Sequence, residues 1–177
     1  VHGGLLGDIR DSQHVAQMRE LGIEPIQVLC VNLYEFEKTV AGDHTLEQAV
    51  ESIDIGGPAM IRAAAKNYAN VAVVTDPKDY SVVLGALDTH SMEHLRPRLM
   101  AKAFRHTAYY DSMIARYFTK ASGAEDLSDT LTLGFRKVQA LRYGENPHQG
   151  AALYRDPLAP AGASAGRQLW GKELSYN

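Results

Sequence analysis

Asp54 and Lys66 flank a glycine-opened turn, and they are the residues in this chain best suited to acid–base chemistry. The stretch Ile53-Asp54-Ile55-Gly56-Gly57-Pro58-Ala59-Met60-Ile61-Arg62-Ala63-Ala64-Ala65-Lys66-Asn67 reads as a short apolar segment, a glycine pair and a helix opened by proline. Proline fits the first helical position, where its missing N–H would lack a partner anyway. Gly56 and Gly57 remove side chains from the bend, so another group can come close to the backbone. The N–H groups there and the positive end of the helix dipole suit an anion or a developing oxyanion. Asp54 and Lys66 would then stand on either side of a ligand. The plain alternative is an ordinary loop-to-helix turn, because glycine is common at such starts.

Strands must carry this turn. Ile26 to Tyr34 is a nearly continuous apolar run, which predicts a strand covered on both faces, as in a parallel sheet. Val71 to Thr75 predicts a second one. In open α/β sheets ligands bind beyond the carboxyl ends of strands, so Asn32 and Tyr34 are site candidates. Alternatively, Asn32 caps the next turn and Tyr34 packs at the core edge.

Helices fill the intervals. Ser12 to Leu21 has helical spacing and a Gly22 stop, and Thr45 with Gln48 forms a capping-box pattern. Phe36 to Asp43 reads as a loop, and Asp76-Pro77 starts another helix. From Pro97 to Lys120 an apolar stripe including Leu99, Ala103, Thr107 and Tyr110 predicts a packed or interface helix. His106 and Asp111 read as its polar edge. The alternation of strand and helix is the α/β signature. Ala121 to Asp129 reads as a linker, Leu131 to Tyr143 as extended, and Pro157 to Gly166 as a loop. Between the last two, Leu141 to Gln149 is dense in polar groups beside glycine and proline, as functional loops are. Arg142 could make a charge-assisted contact with a phosphate.

Composition narrows the classes. The 177 residues are 45% hydrophobic, enough for one real core, and carry a formal net charge of -3. That balance argues against a general nucleic-acid binder. No apolar run approaches the ~18 residues of a membrane span. The single cysteine, Cys30, lies in an apolar run, which predicts a buried thiol in a cytoplasmic protein. The spacing of Asp54, His90, His94 and His106 gives no metal-binding pattern. Val1 to Gly7 has no initiator Met and starts in mid-element.

Several ordered blocks together carry more information than any one glycine motif. They are Val1-His2-Gly3-Gly4-Leu5-Leu6, Val31-Asn32-Leu33-Tyr34, Ile53 to Pro58, Arg62 to Asn67, Leu141 to Gln149 and Gly171 to Asn177. In that order they resemble the bifunctional purine-biosynthesis family that joins IMP cyclohydrolase to AICAR formyltransferase. The resemblance implies an α/β chain: an incomplete methylglyoxal-synthase-like parallel-sheet domain with added helices, then the start of a second α/β domain. Residues 1–130 would be the later part of the cyclohydrolase domain, and residues 131–177 a linker and the start of the formyltransferase domain.

The resemblance also implies activities. One domain would cyclise formyl-AICAR to IMP with loss of water, needing no metal or cofactor. The other would formylate AICAR, with 10-formyltetrahydrofolate as co-substrate. Lys66 falls on the family's proton donor and acceptor, Asp54 and Tyr34 on its acidic and tyrosine positions. Val31, Asn32, Ile55, Gly56, Gly57 and Asn67 fall in its nucleotide-contacting blocks, and Arg142 and Tyr143 in its AICAR site. A homodimer is the usual family assembly. The family pattern extends beyond both ends, through a Lys-Thr-Leu-His-Pro segment before Val1 and most of the formyltransferase domain after Asn177. This piece is therefore expected to be catalytically incomplete. Glu35 replaces the family's usual proline after the tyrosine.

The chemistry suits these types. An amide nitrogen is a poor nucleophile, so ring closure needs a base for its proton and a partner for the oxyanion; backbone N–H groups at Gly56-Gly57 would supply the latter. Two other readings stand beside this one. One is a non-catalytic phosphometabolite-binding module. The other is a dimerisation piece, suggested by the Leu99–Phe118 stripe and the Trp170 end.

Overall fold

The computed structural model describes residues 1–123, 129–159, 162–172 and 174–175. The chain divides into two compact units, Val1–Asp111 and Ser112–Asn177. The first unit contains α1 (His2–Leu6), α2 (Ser12–Glu20), β1 (Val28–Cys30), α3 (Phe36–Ala41), α4 (Leu46–Glu51), α5 (Gly56–Lys66) and β2 (Ala72–Val74). A 3-10 turn at Pro77–Asp79 and α6 (Tyr80–Asp88) follow. The long helix α7 (Met92–Ala121) begins in this unit.

β1 and β2 pair in parallel, with Val28 opposite Ala72 and Cys30 opposite Val74. Parallel strands need a long crossover, and α3, α4 and α5 supply it. All three residues of β2 are buried, whereas β1 buries only Leu29. The double-covered strand read from the sequence therefore holds for β2. It fails for β1, which is also shorter than the Ile26–Tyr34 expected. Among the described residues β1 has β2 as its only strand neighbour, so one edge stays open. Cys30 is accordingly exposed, not buried.

α5 packs Ile61, Ala64 and Ala65 into the core beside β2, and its alanine run lets the helix lie close to the sheet. Burying one Ile61-sized side chain is worth roughly 1.5–3 kcal/mol. α7 adds Leu99, Ala103, Thr107 and Tyr110, spaced four, four and three residues apart and all buried. These four members of the stripe form the core face, whereas Phe104, read as part of the same stripe, is 38% exposed. The helix starts at Met92, ahead of the expected Pro97, which it accommodates internally.

The local signals mostly hold. Thr45 and Gln48 make the full capping box that opens α4. Asp76 caps the Pro77 turn by accepting from the Lys78 N–H. Gly22 ends α2 at φ 63°, the left-handed region glycine tolerates. Phe36 to Ala41 is helical where a loop was expected. No side chain caps that helix; it is anchored by Phe36, 1% exposed, whose ring meets Tyr110 edge-on at 6.4 Å.

In the second unit β3 (Arg136–Leu141) and β4 (Ala151–Arg155) form an antiparallel hairpin with an irregularity between Lys137 and Gln139. The extended stretch expected from Leu131 thus shortens to β3. Arg116 clasps Asp156 through two bonds of 2.8 and 2.6 Å. Trp170 is 92% exposed. Part of the expected Ala121–Asp129 linker and of the Pro157–Gly166 loop lies outside the described residues, as do Glu173, Tyr176 and Asn177 of the last block.

Candidate active site

The chain leaves β1 through Val31, Asn32 and Tyr34, and Asp54 fixes that exit to the start of α5. Val31 N–H donates to the Val74 carbonyl at 3.0 Å, so the exit is still tied to β2. The Asp54 carboxylate accepts from Gly57 N–H at 2.7 Å through Oδ1 and from Tyr34 N–H at 3.3 Å through Oδ2. It thereby does for α5 what an N-cap side chain does elsewhere. Asp54 N–H donates to the Tyr110 hydroxyl at 2.8 Å, and that hydroxyl donates to the Ser52 carbonyl at 3.3 Å. Burial pushes the Tyr110 phenol up from its ordinary pKa, which keeps it a neutral donor. Tyr110 stood in the sequence only as one member of an apolar stripe. The available signal was that a buried tyrosine hydroxyl requires a partner.

This geometry corrects the reading of the helix start. α5 begins at Gly56, so Pro58 is its third residue, still within the turn whose N–H groups lack helical partners. The Gly57 N–H, expected to face an oxyanion, already serves the Asp54 carboxylate. A Cβ on Gly57 would stand 2.5 Å from Leu33 Cδ2 and 2.7 Å from Asp54 Oδ2, so the close approach needs glycine. Tyr34, at 64% exposed, and Ile55, at 78%, face outward beside this turn. Asn32 is exposed too, its Nδ2 3.4 Å from the Tyr80 hydroxyl.

Lys66 sits at the other end. The 11 residues of α5 span about 16 Å, so Asp54 and Lys66 do not flank one opening. Lys66 lines an open groove of about 700 Å³ with His2, Leu6, Ala59, Arg62, Ala63 and Phe104. Ala59, Arg62, Ala63 and Lys66 recur at helical spacing and share one face of α5. The Arg62 guanidinium lies 5.8 Å from the centre of the Phe104 ring. Among the described residues, the Arg62 guanidinium and the Lys66 ammonium make no hydrogen bond or ion pair. Neither Asp54 nor Tyr34 lines the groove.

Asn67, the next residue, is already committed. Its Nδ2 donates to the carbonyls of Leu5 and Gly7, each at 2.9 Å, and its Oδ1 accepts from Asn70 at 2.8 Å. Both N–H bonds of the amide are used, so Asn67 clamps α1 to the end of α5 rather than offering donors to a ligand. Asn70 also donates to Asp8, whose carboxyl Arg10 holds well below the usual carboxylate range. In the second unit Arg142 is exposed and lies over the ring of Tyr143, 5.3 Å from its centre. Both stand in the β3–β4 hairpin loop, closed by Gly144 N–H on the Gln149 carbonyl at 2.8 Å. Among the described residues no group of His, Cys, Asp or Glu is arranged to hold a metal.

Residues 64–177 match the family model described as the AICARFT/IMPCHase bienzyme. The chain belongs to that family. The bifunctional purine biosynthesis protein PurH of Bacillus cereus (strain AH187) is 54% identical over 182 residues, covering all of this chain and 35% of that protein. PurH of Shouchella clausii (strain KSM-K16) is 51% identical over 181 residues, with the same coverage. The chain thus spans about a third of the length of these bienzyme relatives. A solved structure titled "Crystal structure of ForH" superimposes with a TM-score of 0.58 at 34% identity, over 71% of this chain and 65% of that one. Together with the parallel β1–β2 pair and its helices, family membership bears out the α/β class and is consistent with a methylglyoxal-synthase-like lobe.

Proposed function

We propose that this chain serves purine biosynthesis by cyclising formyl-AICAR to IMP, within a bienzyme that also formylates AICAR from 10-formyltetrahydrofolate. The observation that carries the reading is Lys66, its ammonium without a hydrogen bond or ion pair among the described residues, lining a mostly apolar groove large enough for a nucleotide's base and sugar. In this reaction the carboxamide nitrogen attacks the formyl carbon, and the C=O π pair moves onto oxygen. The Lys66 ammonium gives its proton to the developing oxyanion, and the amine so formed takes the carboxamide proton. The resulting hydroxyl then leaves as water after a second protonation, while the formamide nitrogen gives up its proton as the C=N bond closes. Two protons leave nitrogen and two reach oxygen, so one water is lost. Such proton transfers contribute on the order of 100- to 10,000-fold.

The Asp54 turn contacts another part of the same ligand. Each Asp54 oxygen accepts one backbone bond and keeps acceptor capacity for a ligand hydroxyl or amine. Val31, Asn32, Tyr34, Ile55 and Gly56 line that end. Arg142 and Tyr143 serve the AICAR site of the second activity, and the working enzyme is a cytoplasmic homodimer. The domain division at residues 130 and 131 belongs to the same proposal.

The test sets this chain into the Bacillus cereus relative in place of the matching segment and follows IMP formation from formyl-AICAR. The chimera forms IMP, and Lys66→Ala abolishes turnover while leaving IMP binding intact. A chimera that binds no nucleotide, or a Lys66→Ala variant with undiminished turnover, refutes the reading.

A further inference from the structure

We infer that Arg62 is a catalytic residue of the same groove, stabilising the negative charge that ring closure places on the formyl oxygen. The inference rests on the cyclohydrolase reading above and adds a residue to it. The Gly57 N–H is not open to that charge, because the Asp54 carboxylate already accepts from it at 2.7 Å and would repel a second anion beside it. The charge needs a cation elsewhere, and one that keeps its proton while Lys66 exchanges its own. Arginine meets that requirement, since it is not deprotonated in proteins and presents a rigid fork of donors.

Arg62 stands four residues before Lys66 on the same face of α5, lining the same groove. Among the described residues no carboxylate neutralises it; only the Phe104 ring, at 5.8 Å, steadies its guanidinium. A cation over an aromatic face is held in orientation without losing its net charge. Two unpaired cations one helical turn apart repel each other, and an anion between them removes that repulsion. The one other titratable residue lining the groove is His2 from α1; Leu6, Ala59, Ala63 and Phe104 are apolar.

The test uses the same full-length chimera. Arg62→Met lowers kcat on the order of 100-fold, as removing an oxyanion donor does, with KM little changed. The loss is uniform across the working pH range, because a guanidinium is not deprotonated in proteins. Added guanidinium ion restores part of the activity of Arg62→Ala, and Arg62→Lys, which keeps charge and packing, falls between. Undiminished kcat in Arg62→Met, or a loss that guanidinium does not relieve and that tracks a fall in Tm, overturns the role of Arg62 while Lys66→Ala still abolishes turnover. Failure of Lys66→Ala to reduce turnover sinks the underlying reading instead.

Discussion

Gly57→Ala tests the geometry on which the Asp54 end depends. The new Cβ would lie 2.5 Å from Leu33 Cδ2, 2.7 Å from Asp54 Oδ2 and 2.8 Å from Asp54 Oδ1. Leu33 can turn aside at a cost of about 1 kcal/mol, the lower end for a tight core insertion. The carboxylate must withdraw as a whole, and α5 then loses its cap, worth about 1–2 kcal/mol. Against this, alanine gains up to about 1 kcal/mol of helix propensity over glycine. The net expectation is a destabilisation of about 1–2 kcal/mol, and at about 2–4 °C per kcal/mol Tm falls by roughly 2–8 °C. Gly56→Ala is the matched control: nothing lies within 4 Å of its Cβ, and it gains the propensity without the clash. Thermal unfolding by circular dichroism of the two variants reads the contrast, and IMP affinity should fall only for Gly57→Ala. Equal Tm values for the two variants would refute the claim that Asp54 caps this helix.

Other outcomes follow from the same contacts. Asn67→Ala leaves two carbonyls and one of the two Asn70 amide N–H bonds without partners and should cost roughly 2–3 kcal/mol, read by urea unfolding. Arg116 beside Asp156, and Lys102 beside Asp76, hold those carboxyls below their ordinary pKa. Their contribution is therefore complete above the unfolded carboxylate value of about 4 and is lost as pH falls through the lowered folded values; Asp156→Asn should flatten the acid limb of stability against pH. Lys102 is raised on balance, the bonds from Asp76 and Asp79 outweighing its burial, so its share persists until pH rises through its folded value. Cys30 is exposed and should react with a thiol reagent in the native chain nearly as fast as in the unfolded one; a protected thiol would contradict the open β1 edge.

What the sequence disclosed was local, and what it withheld was long-range. The Thr45–Gln48 box, the Gly22 stop and the Asp76-Pro77 start each depend on residues within a few positions, and each formed as read. The α7 stripe was legible because helical spacing repeats over many turns. The Phe36 helix was not, since it has no cap and is held by Tyr110 far along the chain. Cys30 misled because an apolar run does not say how many faces of a strand are covered. The Asp54 role needed Tyr110, 56 residues away, and no pattern in sequence pairs those two. Asn67 lies in a block matched to a nucleotide site, yet its amide binds the chain's own carbonyls.

The two ends of α5 now constrain how a ligand can lie. The N-terminal end, expected to receive negative charge, instead carries a carboxylate, so it favours hydrogen-bond donors such as hydroxyls or amines. The groove toward the other end carries Arg62 and Lys66, both unpaired, so it favours negative charge. These preferences oppose the bare helix dipole at each end, which is how side chains commonly neutralise it. A nucleotide meeting both conditions puts donor groups at Asp54 and its reacting oxygen near Arg62 and Lys66. The reverse orientation would set an oxyanion against the Asp54 carboxylate and leave two cations facing donors. Asp54→Asn separates these cases: in the first it weakens binding of a ligand whose donors Asp54 accepts, and in the second it relieves repulsion and tightens it. Titration of IMP against the full-length chimera carrying Asp54→Asn decides between them, and tighter binding would reverse the orientation argued from the two ends of this helix.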